Sequence, residues 1–597
     1  MYQPFLISGF KTAKSIGLEP WLSPPDAYST LENMHVNKGV LKKRLGFSLF
    51  AQMKHGAVAQ TTTPITGIYS FIHRGLPCLL IMDDARCNFY NPSVSPSTMT
   101  DISNNLGETV VGTDTNEYRC VLSHTSAAAS RPILGGSYAT YWVATGRTGL
   151  GAETWATPID YIGPTNIFTG SSSDFFHFCN WLGIGYMVNN VDQIHKWEGR
   201  GTAVVPFDTK IDALDPLANQ INTCRFIFVK DDRMVLLDTV ELGVWCHNRC
   251  RYSPVLQTDF SAAGGGYVDA WTQERICAAG YVGKNIAVYT QGADSGTLWE
   301  IKSTGNSDVP FKWDRVTTTE LIRSPYSGVE MKDGLAAVGA TNIVFYDGFK
   351  IKDLDIPNIR DILDEFNDVY IRSVYSYIQK EERHLLLTFA DSASSTIDRI
   401  LDYNIDENNW TIHKSEQSFF VNCIGGFTGQ KVPIGAEFAD VVAADLLLIP
   451  DLTLDARTVY GTPKPYTLIG CRNSKVYKWA DGTDDAGADI AIKAASINLN
   501  PFIDKGLKVA CEKIGFLVDN VPTASFLVSI YKNTSTTAYK TKTISCNGSN
   551  DKFWAWMFCD GEIGNFHKLE ITHTEKANTP KIHAIMPYFE SAGGLDL

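Results

Sequence analysis

Paired cysteine motifs, long apolar runs and an excess of basic charge are all missing from this chain of 597 residues. Its 13 cysteines are odd in number and scattered, and no two stand as Cys-x-x-Cys. They read as reduced thiols acting as small buried hydrophobes. No window reaches the ~18 consecutive apolar residues of a membrane helix. The start, Met1-Tyr-Gln-Pro-Phe-Leu-Ile-Ser-Gly-Phe10, has neither the charged lead nor the sustained apolar stretch of a secretory signal. A protein made in a cytoplasm, without membrane insertion, is expected. Basic residues number 52 against 65 acidic ones, a formal net charge of -13. That excludes a general nucleic-acid coat, which needs a basic surface. It leaves room for a conduit whose acidic lining repels phosphate.

Catalytic signatures are missing too. The 12 histidines include no His-Glu-x-x-His, and there is no Gly-x-Ser-x-Gly. The Ser-x-Asp-x-Gly-x-x-Trp boxes usual in propeller sialidases are absent. Glycosidases need two carboxylates flanking a sugar, and among 65 acids no pair stands out. Three segments come nearest to a site. Cys246-His-Asn-Arg-Cys250 has no second Cys/His pair at zinc-finger distance, so it reads as incidental cysteines. Asp481-Gly-Thr-Asp-Asp-Ala-Gly-Ala-Asp489 lacks the spacing and closing Glu of a calcium loop and reads as a polar hairpin tip. Gly146-Arg-Thr-Gly-Leu-Gly151 is neither a Walker loop nor a dinucleotide fingerprint and reads as a flexible loop. No catalytic residue, metal ligand or cofactor is expected.

What the chain does have is strands. Arg225-Phe-Ile-Phe-Val-Lys-Asp-Asp-Arg-Met-Val-Leu-Leu-Asp238 is two strands around the break Lys230-Asp231-Asp232, followed by Asn285–Thr290 and Thr297–Ile301. Groups of the same grammar start at Ile65, Phe175, Ala336, Leu385 and Tyr466. In each, a strand ending in an aromatic meets Asn, Asp or Gly turn chemistry. Repeats of roughly 40–50 residues are the length of propeller blades. Beyond about residue 490 the pattern becomes long alternating strands, Lys513–Val518, Ala524–Tyr531, Phe566–Thr572 and Ile582–Phe589, as in a sandwich with one packed face. One helix is expected at Ile356–Phe366, where Ile359, Ile362, Leu363 and Phe366 fall at helical spacing. Phe438–Ile449 fits a strand or a short helix. In Trp554-Ala-Trp-Met-Phe558 the three rings share one strand face, where packing is the commoner outcome and stacking on a sugar or base the rarer.

The fold class is therefore all-β: an irregular β-propeller with insertions plus a C-terminal β-sandwich-like region. The expected organisation is an N-terminal arm over 1–60, the first propeller strands over 61–92 and an insertion over 93–171. Further blades follow over 172–490, with the sandwich over 491–597. The arm carries Glu19-Pro-Trp-Leu-Ser-Pro-Pro-Asp26, broken by prolines, and the basic cluster Lys42, Lys43 and Arg44, opposite in sign to the chain. That cluster reads as a solvated turn, or more sharply as a contact with an acidic partner surface or passing phosphate.

Several phrases together resemble one family. Pro20-Trp-Leu-Ser-Pro-Pro-Asp-Ala-Tyr-Ser-Thr-Leu-Glu-Asn33 followed by Val40-Leu-Lys-Lys-Arg-Leu-Gly-Phe47 is similar to the opening of the tail nozzle, or tail tubular protein B, of short-tailed bacteriophages. Arg233–Asp238 through Arg251-Tyr-Ser253, Asn285–Ile301 to Pro310-Phe311, and Lys513–Val518 to Tyr588–Gly593 resemble later stretches of the same family and of related propeller-bearing tail stabilisation proteins. The resemblance implies a structural virion protein in the tail, assembled in the host cytoplasm. It implies a homohexameric ring below the portal and head-to-tail adaptor, supporting tail fibres or spikes and enclosing a channel that genomic DNA crosses without sequence-specific binding. Trp21, Lys42, Lys43 and Arg44 are then the expected partner contacts, and 93–171 a tip or fibre-docking insertion. No catalytic residue is implied. The alternative is a propeller-type glycan-binding or glycan-cleaving tail protein.

Overall fold

The computed structural model describes residues 2–14, 23–55, 58–59, 61–73, 76–89, 167–198, 204–214, 220–319, 321–354, 358–414, 421–428, 465–574, 576 and 579–595. Between 103 and 148 it describes five strands and the short helix Tyr138–Tyr141. Antiparallel sheets dominate throughout.

Among the described residues, seven sheets follow one another as blades. The first is Ile65–His73, Leu76–Asp83 and Cys87–Phe89; the second runs from His177–Trp181 to Val205–Pro206; the third from Ile221–Lys230 to Gly266–Asp269. The fourth runs from Arg275–Val282 to Phe311–Thr319, the fifth from Val329–Met331 to Ile351–Asp353, and the sixth from Tyr375–Gln379 to Asn409–Lys414. The seventh takes Val421–Thr428, Pro465–Cys471 and Lys475–Trp479, and its outermost strand is Phe47–Gln52 from near the start of the chain. The ring is closed by that borrowed strand, with Phe47 opposite Trp479 and Leu49 opposite Tyr477.

Closure is visible in the cores. A separate apolar cluster fills each junction between consecutive blades. Phe71 and Leu80 of the first blade meet Met187 and Trp197 of the second, and Tyr186 of the second meets Ile227 and Leu236 of the third. Phe228 of the third meets Ile276 of the fourth, Tyr289 meets Leu335, Val338 meets Leu387, and Leu386 meets Ile469. The seventh cluster joins Ile65 and Ile68 of the first blade to Leu468 and Val476 of the last. Each blade is thus covered on both faces, which explains its sequence: Met234-Val-Leu-Leu237 and Leu385-Leu-Leu387 are unbroken apolar runs because both faces are buried.

The remaining strands form a sandwich. One sheet has the order Lys552–Gly564, Leu507–Asp519, Lys581–Gly594, Val40–Lys43, Met34–Asn37, with Gln3–Pro4 and Ile7–Ser8 also paired to Lys581–Gly594. The other continues the sixth blade through Ala27–Glu32, Ile492–Ser496, His567–His573, Ser525–Lys532 and Lys540–Ser545. Here one face is packed, and His567–His573 alternates buried and half-buried residues. The core between the sheets includes Phe516, Phe526, Val528, Met557 and Ile571.

This corrects the reading of residues 1–60 as an arm. Ile7, Phe10, Tyr28, Leu31, Met34, Val36 and Leu41 are buried in the sandwich core, so the chain's start is part of the C-terminal region. The expected helix forms at Asn358–Leu363, with Ile362, Leu363 and Phe366 buried. Within the expected insertion, Thr109–Val111, Asn116–Cys120 and Trp142–Thr148 make a three-stranded sheet. Phe438–Ile449 lies outside the described residues, as does most of 93–171. No helix among the described residues is long and apolar enough to cross a membrane.

Candidate functional site

The basic cluster Lys42–Arg44 sits where three parts of the molecule meet: the start of the chain, the sixth blade and the outer side of the seventh. Lys43 and Arg44 are buried, which corrects the expectation of a solvated turn or partner contact for those two. The reason is electrostatic. The Arg44 guanidinium grips Asp485 in bidentate fashion, at 2.7 Å and 2.6 Å, and Asp485 is 0% exposed. Nε donates to Asn33 Oδ1 at 2.9 Å, and the remaining donors reach the carbonyls of Leu45 and Lys414. The guanidinium also lies 5.4 Å from the Trp479 ring centre. The acidic segment read as a hairpin tip therefore contains the buried anion that the basic cluster needs. Gly46 makes the approach possible, because a Cβ there would come within 1.8 Å of the Asp484 carbonyl oxygen.

Beside the clamp lies a polar cavity of about 240 Å³ lined by Lys42, Glu382, Asp402, Trp479 and Lys581, among others. Its floor is a charge relay laid diagonally across three strands of the sixth blade. His384 Nδ1 is 2.9 Å from Asp402 Oδ1, and His413 Nε2 is 2.9 Å from Asp402 Oδ2. Burial alone would raise the Asp402 carboxyl, but the two imidazoles hold it well below the usual carboxylate range. Burial works against charge on His384, yet the Asp402 carboxylate outweighs it and raises the imidazole above its ordinary value. His413 stays lowered, because burial dominates. His35, whose ring meets that of His384 edge-on at 6.4 Å, is pushed down to about 3 by burial. Lys42 stands opposite Lys581 across the strand pair. Burial lowers the Lys42 amine, Glu382 opposes that shift, and Lys581 adds to it.

This arrangement is a charge-paired weld. Its ion pairs hold a buried carboxylate ionised. Among the described residues, no cluster of three or more His, Cys, Asp or Glu side chains is arranged to hold a metal ion. Cys250 is buried and Cys246 partly so, both within the strand Val244–Tyr252. The relay has no sequence motif: its members are 18 and 11 residues apart, and only strand pairing brings them together.

The second candidate is an outer face. Trp554, Trp556 and Phe558 share one side of the strand Lys552–Gly564, as their spacing requires, while Met557 and Cys559 point into the core. The two tryptophans pack on the sheet and are half-buried, while Phe558 is 58% exposed. The tryptophan rings stack at 5.9 Å, and Trp556 meets Tyr588 at 5.7 Å. Lys513 Nζ bridges Trp556 and Tyr588, 5.0 Å and 4.6 Å from their ring centres. The strand register sets Gly515 opposite Trp556, and a Cβ at 515 would lie 2.7 Å from that ring. The glycine lets the indoles lie flat across the sheet. Trp21 lies outside the described residues.

No known protein family matches the chain, and no curated protein does. Solved structures do match in outline. The computationally designed Ika8 protein aligns with TM-score 0.33 at 8% identity, covering 72% of this chain and 99% of that one. YCF48 bound to a peptide aligns with TM-score 0.34 at 9% identity, covering 77% and 99%. An exo-beta-1,3-galactanase from Phanerochaete chrysosporium aligns with TM-score 0.23 at 7% identity, covering 69% and 95%. Likenesses this distant carry no functional argument, and the blade count rests on the sheet pairing and the seven interblade cores.

Proposed function

We propose that this chain is a structural subunit of a short-tailed bacteriophage tail, a nozzle protein. Copies of it form a ring below the portal and adaptor, enclose the path of the outgoing DNA and support fibres or spikes. The observation that carries this reading is the aromatic face of Trp554, Trp556, Phe558 and Tyr588 on the outside of the sandwich. Phe558 is 58% exposed beside the half-buried rings of Trp554, Trp556 and Tyr588; a part-exposed aromatic surface of this kind suits association between copies, and a closed ring of copies buries it repeatedly. The closed propeller and its weld to the sandwich support the same reading, because a conduit wall must transmit load without deforming. The net charge of -13 suits a wall past which phosphates slide. The work is mechanical, with no bond made or broken by the chain itself.

The test is electron microscopy of the purified full chain and of the phage particles that contain it, with a parallel assay on host polysaccharide. Ring-shaped oligomers, the protein at the tail, and no sugar release are expected. A monomer that is absent from particles and cleaves polysaccharide would overturn the proposal.

A further inference from the structure

The thiols of Cys511 and Cys559 meet inside the sandwich. Cys511 lies in the strand Leu507–Asp519 and Cys559 in its neighbour Lys552–Gly564. Register sets Lys513 opposite Phe558 and Cys511 opposite Glu562. Cys559, Asp560 and Gly561 therefore stand against the single residue Glu512. This bulge turns through Asp560 and Gly561, with φ of 60° and 69°. It leaves both cysteines on the packed side of the sheet, each 0% exposed and in the same core as Phe516 and Met557. Both are free thiols, and their side chains hydrogen-bond each other. Adjacent strands run ~4.8 Å apart and a disulfide takes a Cα separation of ~4.4–6.8 Å. A bond between these sulfurs thus asks for a small adjustment of the bulge and no change of register.

Position distinguishes this pair from cysteines that merely fill space. Lys552–Gly564 is an edge strand of its sheet, and opening from an edge uncovers Cys559 before Cys511. The hydrogen bond to Cys559 and burial push the Cys511 thiol up, so it keeps its proton while the sheet is closed. Between the two cysteines the chain leaves this sheet, builds Ser525–Lys532 and Lys540–Ser545 of the facing sheet, and returns. A bond from 511 to 559 closes that excursion into a loop and removes freedom from the unfolded chain. It also pins the strand that carries Trp554, Trp556 and Phe558.

We propose that Cys511 and Cys559 are a disulfide-forming pair, oxidised by a small-molecule disulfide to a staple that locks the edge strand Lys552–Gly564 to Leu507–Asp519. With oxidised glutathione, Cys559 attacks one sulfur, its S–S bond breaks and one glutathione leaves. Cys511 then displaces the second glutathione from the mixed disulfide. The two protein thiols give up two protons and two electrons, and the oxidant carries both away as two glutathione thiols. A reducing cytoplasm keeps the pair open, and an oxidising exterior closes it.

The experiment is incubation of the full chain with oxidised glutathione, followed by maleimide alkylation in denaturant, digestion and mass spectrometry. A Cys511–Cys559 cross-linked peptide pair, two hydrogens lighter than the sum of its reduced halves, is expected, and reductant should dissolve it. Hydrogen exchange in 552–564 is expected to slow about tenfold or more on oxidation, and the urea midpoint to rise. Neither change is expected in Cys559→Ala, and the peptide map of the unaltered chain needs no variant. Recovery of both cysteines as alkylated thiols would overturn the proposal. So would a cross-link of either one to another cysteine, a persistent glutathione adduct, or an equal midpoint rise in Cys559→Ala.

Discussion

Arg44 and Asp485 form the kind of buried pair whose halves cannot be removed singly. Arg44→Ala leaves a carboxylate that is 0% exposed without its partner, and a loss of about 3–5 kcal/mol is expected from breaking such a pair. The double replacement Arg44→Met with Asp485→Leu should recover much of it. Urea denaturation of the two variants beside the unaltered chain checks this, and equal losses in the single and double variants would contradict it. The buried histidines set the acid limit. Burial pushes His177 and His567 each down to about 4 from 6.5, and His35 to about 3. Below 6.5 the unfolded chain binds protons that the folded chain refuses, so their contribution is complete above 6.5 and is lost as pH falls towards 4. His384 runs the other way: its raised value adds stability below 6.5 that is lost as pH rises through its folded pKa. His195 and His413 are lowered by burial as well, so the lowered histidines outnumber it; urea midpoints should fall from pH 7 to pH 4.5, and less steeply in His177→Gln. A midpoint flat across that range would contradict the assignment.

Turns and borrowed strands decide the behaviour of the elements. The hairpin Ile221–Glu241 reverses through Asp231 and Asp232, both with positive φ, 51° and 55°. That is the type I′ geometry that favours glycine at its second position. Asp232→Gly should therefore stabilise by up to about 1 kcal/mol, read as a raised urea midpoint. The borrowed strand Phe47–Gln52 is the fastening of the ring, and Leu49→Pro disrupts its ladder with Lys475–Trp479. A loss of about 1–3 kcal/mol is expected, with hydrogen exchange quickening first in 465–479. Protection unchanged there would mean the ring closes another way. The blade strands were legible because burial on both faces writes unbroken apolar runs, and the sandwich strands because one packed face writes alternation. Residues 3–8 were not legible. Their strands are two residues each, one contains Pro4, and Gln3 pairs with Phe589, so nothing local marks them. The relay His384–Asp402–His413 was invisible for the same reason, being a product of register between strands. Asp485 gave the weakest signal of all, since an acid-rich hairpin is ordinarily solvated; only the buried Arg44 makes it structural.

At the scale of the whole molecule, a seven-bladed ring and a sandwich share a continuous sheet through the sixth blade and are clamped together at Arg44, Asn33 and Asp485. Among the described residues, the aromatic face of Trp554, Trp556 and Phe558 lies on the outer side of the sandwich sheet. Interface tryptophans are commonly worth about 2 kcal/mol or more, so Trp556→Glu should raise the dissociation constant of the assembly about thirtyfold or more. The most direct test is mass photometry of the unaltered chain beside Trp556→Glu. A species at six times the chain mass is expected, giving way to single chains in the variant. A unaltered chain that stays single at every concentration, or an oligomer indifferent to that substitution, would contradict it.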